Sequence, residues 1–181
     1  MVADMRDLPF EDDSFGSVLS VQSIEHVPDA TPVLREVTRV LEPGGTAVFV
    51  TPNRLTFARP DEIIDPYHYV EYDADQLRAL LEPYFEKVEM YGVFGSPRYL
   101  ELVAEEHRQL DRLLRRDPLR LRRAVPRRLR QRLYDLMLTR ARRDEDPRAA
   151  AITEDDFELR STDVGSCFDL AAVAHGPLPP S

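Results

Sequence analysis

Two histidines and the groups around them carry most of the chemistry this sequence offers. His68 stands in a loop beside Tyr67, Tyr69 and Tyr72. An imidazole has an ordinary pKa near neutrality, so His68 is a candidate general base toward a hydroxyl or amine. The alternative is that the tyrosines pack this loop onto the core. Ser20, Val21, Gln22, Glu25 and His26 follow the apolar run Phe15 to Val21, and Asn53 ends a second apolar run. In an open α/β sheet ligands sit beyond the carboxyl ends of the strands, so these residues are placed to line a ligand site. Two readings stand for His26, a site residue or a loop histidine capping the next helix. Two also stand for Glu25, a substrate contact or a solvated charge. The four histidines (His26, His68, His107, His175) and the single cysteine, Cys167, show no metal-ligand spacing, so no metal is expected. Nothing basic lies near Cys167 in sequence, which makes it a buried strand residue and not a nucleophile.

These residues need elements to hold them. FGSVLSV at Phe15 to Val21 has the composition of a buried strand, bounded by Asp12-Asp13-Ser14 and a polar loop. Pro28 to Pro32 opens a helix, with Val33, Leu34, Val37, Val40 and Leu41 on one face. Pro43-Gly44-Gly45 is expected to stop it. Thr46 to Thr51 is a strand with little polar alternation, so cover on both faces is expected. Strand, helix and strand predict a right-handed βαβ unit with a parallel sheet. After Asn53 comes a long loop with turn signals at Pro60-Asp61 and Asp65-Pro66, of a length that is often functional. Asp73 caps a helix with Leu77, Leu80 and Leu81 inward, and Phe85 to Val93 alternates as a strand. Tyr99 to Arg143 has helical stripes (Leu100, Val103, Leu110, Leu114, then Leu129, Leu133, Leu136, Met137), broken at Asp117-Pro118 and Val125-Pro126. Asp144 to Asp156 reads as a loop, and Asp156 to Arg160 and Cys167 to His175 as strands.

The chain has 181 residues, 43% of them hydrophobic, enough for one domain with a real core. No apolar run is long enough to span a membrane, and the acidic start is no secretory signal. One cysteine fits a reducing, cytoplasmic setting. The net charge of −9 divides unevenly: residues 98–148 hold sixteen Arg against nine Asp/Glu, while the remainder is strongly acidic. Solvated helix faces, a lid over an anionic acceptor, or contact with a membrane surface or other anionic surface each account for that arginine density. The acidic remainder argues against nucleic acid.

LPFEDDSF, a hydrophobic strand, IEHV, a helix ending RVLEPGG and a strand ending PN together resemble the second half of a class I S-adenosylmethionine-dependent methyltransferase, methyltransferase type 11-like, from about Val2 to Gly95, with a weaker return near Cys167 to His175. The resemblance implies an α/β fold: a partial Rossmann-like methyltransferase sheet with the later strands only, its last strand antiparallel, and a helical insertion. It divides the chain into a core at 1–97, an Arg-rich insertion at 98–148, final strands at 149–176 and a disordered tail at 177–181. It implies S-adenosyl-L-methionine as cofactor, with Asp4 and the main-chain N–H of Met5 beside the adenine, although the composition alone makes Met1 to Asp4 a loose terminus. It also implies that Ser20, Val21 and His26 lie near the methionine end, that Glu25, Asn53 and Tyr67 face the acceptor, and that His68 is the base. The acceptor would be a small or lipid- or sugar-linked molecule. Gly16 stands where the family pattern has Asp. No G-x-G turn occurs among the seven glycines, so the first strands of such a domain are expected upstream of Met1, and the chain reads as truncated. A non-catalytic relative, a partner subunit, a homo-oligomer formed through an exposed sheet edge, and an Arg-rich module for anionic surfaces are the alternatives.

Overall fold

Helix α1 (Thr31–Val40) begins where the Asp29 carboxylate accepts the Thr31 N–H at 2.9 Å and Pro32 fills a first-turn position. Its apolar stripe, Val33, Leu34, Val37 and Val40, is buried. The computed structural model describes residues 1–57, 63, 65–114, 125–141 and 148–179. The expected turn at Pro60-Asp61, the break at Asp117-Pro118, the first residues of the loop at Asp144 and the tail residues Pro180-Ser181 fall outside them.

The chain divides into two compact units, one of Met1–Phe94 with Leu159–Ser181 and one of Gly95–Glu158. The sheet has five strands in the order β1-β2-β5-β3-β4: β1 (Phe15–Val21), β2 (Leu41–Pro52), β3 (Phe85–Gly95), β4 (Phe157–Arg160) and β5 (Asp169–Pro177). β1 and β2 are parallel, as the βαβ pattern predicts, and β5 runs antiparallel to β2 and to β3. The α/β fold with an antiparallel last strand is therefore present. Phe49, Leu34, Leu41, Leu77, Leu81 and Leu170 centre its core. Helix α2 (Arg54–Phe57) lies inside the long loop, and α3 (Ala74–Leu81) starts at a capping box between Asp73 and Gln76.

Four expectations need correction. β1 is not a buried strand: Leu19 is 68% and Val21 51% exposed, because β1 is the outer strand and pairs only with β2 among the described residues. Pro43-Gly44-Gly45 does not stop α1. The helix ends at Val40, β2 already begins at Leu41, and these residues form a bulge between the pairs Phe15–Leu41 and Ser17–Thr46. Gly44 takes φ +78° there. Along β2, Ala47, Phe49 and Thr51 are buried while Thr46, Val48 and Val50 are only half-covered, so one face carries the core. The tail begins later than Pro177, which is the last residue of β5, and the Leu178 N–H donates to the Tyr84 carbonyl at 2.8 Å.

The second unit carries helices α4 (Pro97–Leu114) and α5 (Arg127–Ala141). Of the expected inward stripes, Leu100, Leu129 and Leu136 are about half exposed, so these positions are not buried as the stripes predict. The firmest contact here is at Asp156, whose carboxylate accepts from Arg98, from Ser96 Oγ at 2.6 Å and from the Thr153 N–H at 2.9 Å. The Arg98 bond, then those from Ser96 and Thr153, hold its carboxyl well below the usual range. A depressed folded value means stability that is complete above the ordinary carboxylate pKa and fades as pH falls below it. Melting of this unit, followed by circular dichroism, is expected to weaken between about pH 5 and pH 2, and Asp156→Asn to flatten that slope.

Candidate functional site

The carboxyl ends of β1 and β2 lie side by side, Val21 opposite Val50, and the start of antiparallel β5 joins them, Asp169 opposite Pro52. β1 leaves the sheet through Gln22, in the left-handed region at φ +47°, its N–H held by the Val50 carbonyl at 2.8 Å. That bend turns the chain into a single 3-10 turn, Ile24–His26. The loop after Asn53 returns to lie on this turn: the Tyr69 N–H donates to the Glu25 carbonyl at 2.8 Å, and Asn53 and Tyr72 form a bridge. Residues far apart in sequence meet here.

Glu25 is fully buried, not a solvated charge. Thr51 Oγ1 donates to its Oε2 at 2.9 Å, while its Oε1 has no hydrogen-bond partner among the described residues and lies 4.0 Å from His26 Nε2. His26 is surface-exposed, and its Nδ1 is 3.2 Å from the Tyr67 carbonyl, so it braces the returning loop and does not cap α1. His68 is buried, with its Nδ1 3.1 Å from Glu71 Oε1 and its Nε2 4.0 Å from Asp65 Oδ2. The two imidazoles meet edge to face, centroids 5.0 Å apart, and Phe57 lies 5.5 Å from the second ring. Burial works against a charged His68, but the Glu71 bond and the charges of Asp65, Glu71 and Glu25 outweigh it, so its pKa is raised. Burial pushes Tyr72 and Asp169 up as well, the Glu25 charge adding to both, and a Gln22 side-chain bond offsets part of the shift at Asp169.

The other expected residues have different surroundings. Ser20 Oγ is 2.6 Å from Ser23 Oγ beside the exposed Val21. Tyr67 is half-buried, and its N–H bonds to Asp65 Oδ1. Met1 and Val2 are exposed, and Asp4 makes only local contacts among the described residues: it bridges Asp7, and its carboxylate takes Arg6 Nε and Nη2 at 2.9 and 2.7 Å, which lowers it to about 2. Met5 packs on the core. Asn53 does not face an acceptor. It is fully buried, its Nδ2 donates to the carbonyls of Gly165 and Cys167 at 3.1 and 3.0 Å and approaches that of Val164 at 3.5 Å, and its Oδ1 accepts the Leu55 N–H. Its work is to brace the loop before β5. Asp65, Glu71 and Asp169 are site groups that sequence reasoning missed. Asp169 had a legible signal, because an antiparallel strand starts where its parallel neighbours end.

Cys167 is buried in the segment before β5, not within that strand, and burial pushes its thiol up to about 11, partly offset by an Asn53 hydrogen bond. The native thiol is therefore expected to resist an aromatic disulfide reagent near pH 8 and to react fully once the chain is unfolded, as thiol titration in the presence and absence of guanidinium will read.

A methyltransferase-domain family model matches residues 1–49. A probable S-adenosylmethionine-dependent methyltransferase of Mycolicibacterium smegmatis is 32% identical over 178 residues, which is 96% of this chain and 63% of that protein. A similarly described protein of Mycobacterium tuberculosis is 40% identical over 106 residues, 58% of this chain and 39% of that one. The chain thus spans roughly two fifths to just under two thirds of these relatives. Two solved structures share the fold: a SAM-dependent methyltransferase of Thermotoga maritima (TM-score 0.56, 14% identity, 96% of this chain and 61% of that one) and the [4+2]-cyclase SpnF (TM-score 0.53, 17% identity, 99% and 56%). The family match and the sequence relatives make the chain similar to S-adenosylmethionine-dependent methyltransferases, and the two solved structures share its fold.

Proposed function

We propose that the protein takes part in methyl transfer from S-adenosyl-L-methionine to a small or lipid- or sugar-linked acceptor. One observation carries this reading: two imidazoles 5.0 Å apart, over the buried Glu25, at the carboxyl ends of two parallel strands. The residues present fit one side of such a cofactor, because the left-handed bend at Gln22 leaves Val21 exposed at the strand end. They include no G-x-G turn for its other end. When bound, the cofactor supplies an already activated methyl group, so alignment of donor and acceptor does most of the work. The Glu71 bond at Nδ1 sets His68 to exchange an acceptor proton at Nε2. Tyr67 and His26 border the same space through the Tyr67 carbonyl bond, and Glu25 fixes the floor. Asn53 we assign to bracing. The fold alone does not dictate methyl transfer, since a cyclase shares it.

Calorimetric titration of this chain with S-adenosylhomocysteine tests the proposal. Binding at micromolar strength, about −8 kcal/mol, is expected. No heat from a folded sample would reject cofactor binding by this chain. A second reading, a non-catalytic or partner-dependent chain, is favoured by the exposed Leu19 and Val21 on the outer strand. Sedimentation velocity separates the two, because a chain covering β1 with a second copy runs as a dimer.

A further inference from the structure

We propose that Glu25, His26 and His68 bind a divalent transition-metal cation, with zinc favoured over magnesium. The site was invisible to residue spacing because His68 arrives from a separate loop. In the folded chain, one ligand atom from each of the three residues lies within 4.8 Å of the others. Ligand atoms held about 2.0–2.2 Å from an ion stand roughly 3–4 Å from one another, so closure needs a contraction of about an ångström. His26 can supply it as the exposed last residue of its three-residue turn.

Three independent features point to a cation. Glu25 Oε1 is a fully buried carboxylate oxygen with no hydrogen-bond partner among the described residues, and with Oε2 fixed by Thr51 it is aimed at His26, still 4.0 Å from Nε2 and beyond hydrogen-bond reach. A buried charge left this way is costly, and a bound cation removes the cost. Each imidazole also has an acceptor on its Nδ1, the Tyr67 carbonyl for His26 and Glu71 for His68. Metal-bound imidazoles are held in this manner, one nitrogen fixed by an outer acceptor and the other presented to the ion. Finally, neither Glu25 nor Glu71 pairs with a lysine or arginine among the described residues. Two imidazoles and a carboxylate suit zinc or cobalt. Magnesium prefers an all-oxygen shell with retained water.

The binding does not depend on methyl transfer. Where both hold, His68 Nε2 is taken by the cation, and the cation instead of the imidazole would help an acceptor oxygen lose its proton.

The test uses this chain, stripped with a chelator and titrated with Zn2+, Co2+ and Mg2+ by calorimetry, with Co2+ also followed by visible absorption. The expected result is one saturable site for Zn2+ and Co2+, a cobalt spectrum of nitrogen and oxygen ligands, and much weaker Mg2+ binding. Glu25→Gln, His26→Gln and His68→Gln are each expected to weaken Zn2+ binding more than ~10-fold. His175→Gln is expected to leave it unchanged, because that histidine sits 3.2 Å from Glu89 and reports opportunistic surface binding. Should Glu25→Gln or His68→Gln fail to fold, His26→Gln decides, since its side chain is 42% exposed. Absence of saturable Zn2+ binding by the folded chain overturns the proposal and leaves a trapped water as the partner of Glu25. Equal affinity in His26→Gln, or loss in His175→Gln, overturns it too. S-adenosylhomocysteine titration of the metal-free chain reports separately on the cofactor.

Discussion

Asn53→Ala is expected to lower the unfolding free energy by about 3–5 kcal/mol, among the largest effects of any single polar substitution in the chain. The carboxamide is fully buried, donates to the carbonyls of Gly165 and Cys167, and accepts the Leu55 N–H. Removing it takes the amide partner from the part-buried Gly165 carbonyl and Leu55 N–H and leaves the buried Cys167 carbonyl with Thr56 Oγ1 alone among the described residues, and each group left unpaired away from water costs about 1–3 kcal/mol. Asn53→Asp keeps the volume but turns an oxygen toward those carbonyls, so it is expected to be at least as damaging. Guanidinium unfolding curves measure both. If Asn53→Ala melts like the parent chain, the bracing role is wrong and an acceptor-facing role for Asn53 is open again. If Asp is tolerated while Ala is not, the loss is one of volume and not of hydrogen bonding.

Phe49→Ala is expected to cost about 3–5 kcal/mol as well, by a different route. Phe49 is the largest fully buried side chain among the described residues, on a strand flanked by β1 and β5, and its ring meets that of Phe85 at 6.3 Å and 70°. Alanine leaves a cavity between elements that cannot collapse onto it. Phe49→Leu keeps most of the volume and is expected to cost less than about half as much. The denaturant midpoint is expected to fall with the slope unchanged, which marks a stability change and not a change in the unfolded ensemble.

Much of this fold was legible in local pattern. Phe15 to Val21 has the bounds of β1, and the Asp73 cap and the alternation from Phe85 are where the sequence puts them, because each rests on chemistry within a few residues. Pro43-Gly44-Gly45 was misread for the same reason. Proline and glycine signal a break in α1, but the break falls earlier, and a sheet partner at Phe15 turns the segment into a bulge. Leu19 and Val21 look like core by type, and only their place on the outer strand exposes them. The site was legible in position and not in chemistry. Ser20 to His26 are at a strand end, as expected. Yet the burial of Glu25, the meeting of His26 with His68 and the inward turn of Asn53 all depend on where the returning loop lies, which no spacing encodes. The family resemblance supplied the fold and the expected cofactor, but not the contacts that decide each side chain's work.

The position of β5 has a consequence for how the chain reaches its structure. This strand, Asp169–Pro177, follows the other four described strands in sequence, yet it lies between β2 and β3. During synthesis β2 and β3 emerge long before the strand that joins them, and their facing edges stay unpaired meanwhile. Pairing across such sequence distances is slow, because the loop-closure entropy is lost before the contacts form. The nascent chain is therefore exposed to edge-to-edge misassociation until β5 has been made. Release of the final strand, and not formation of the early βαβ unit, is the event that commits it to the native sheet.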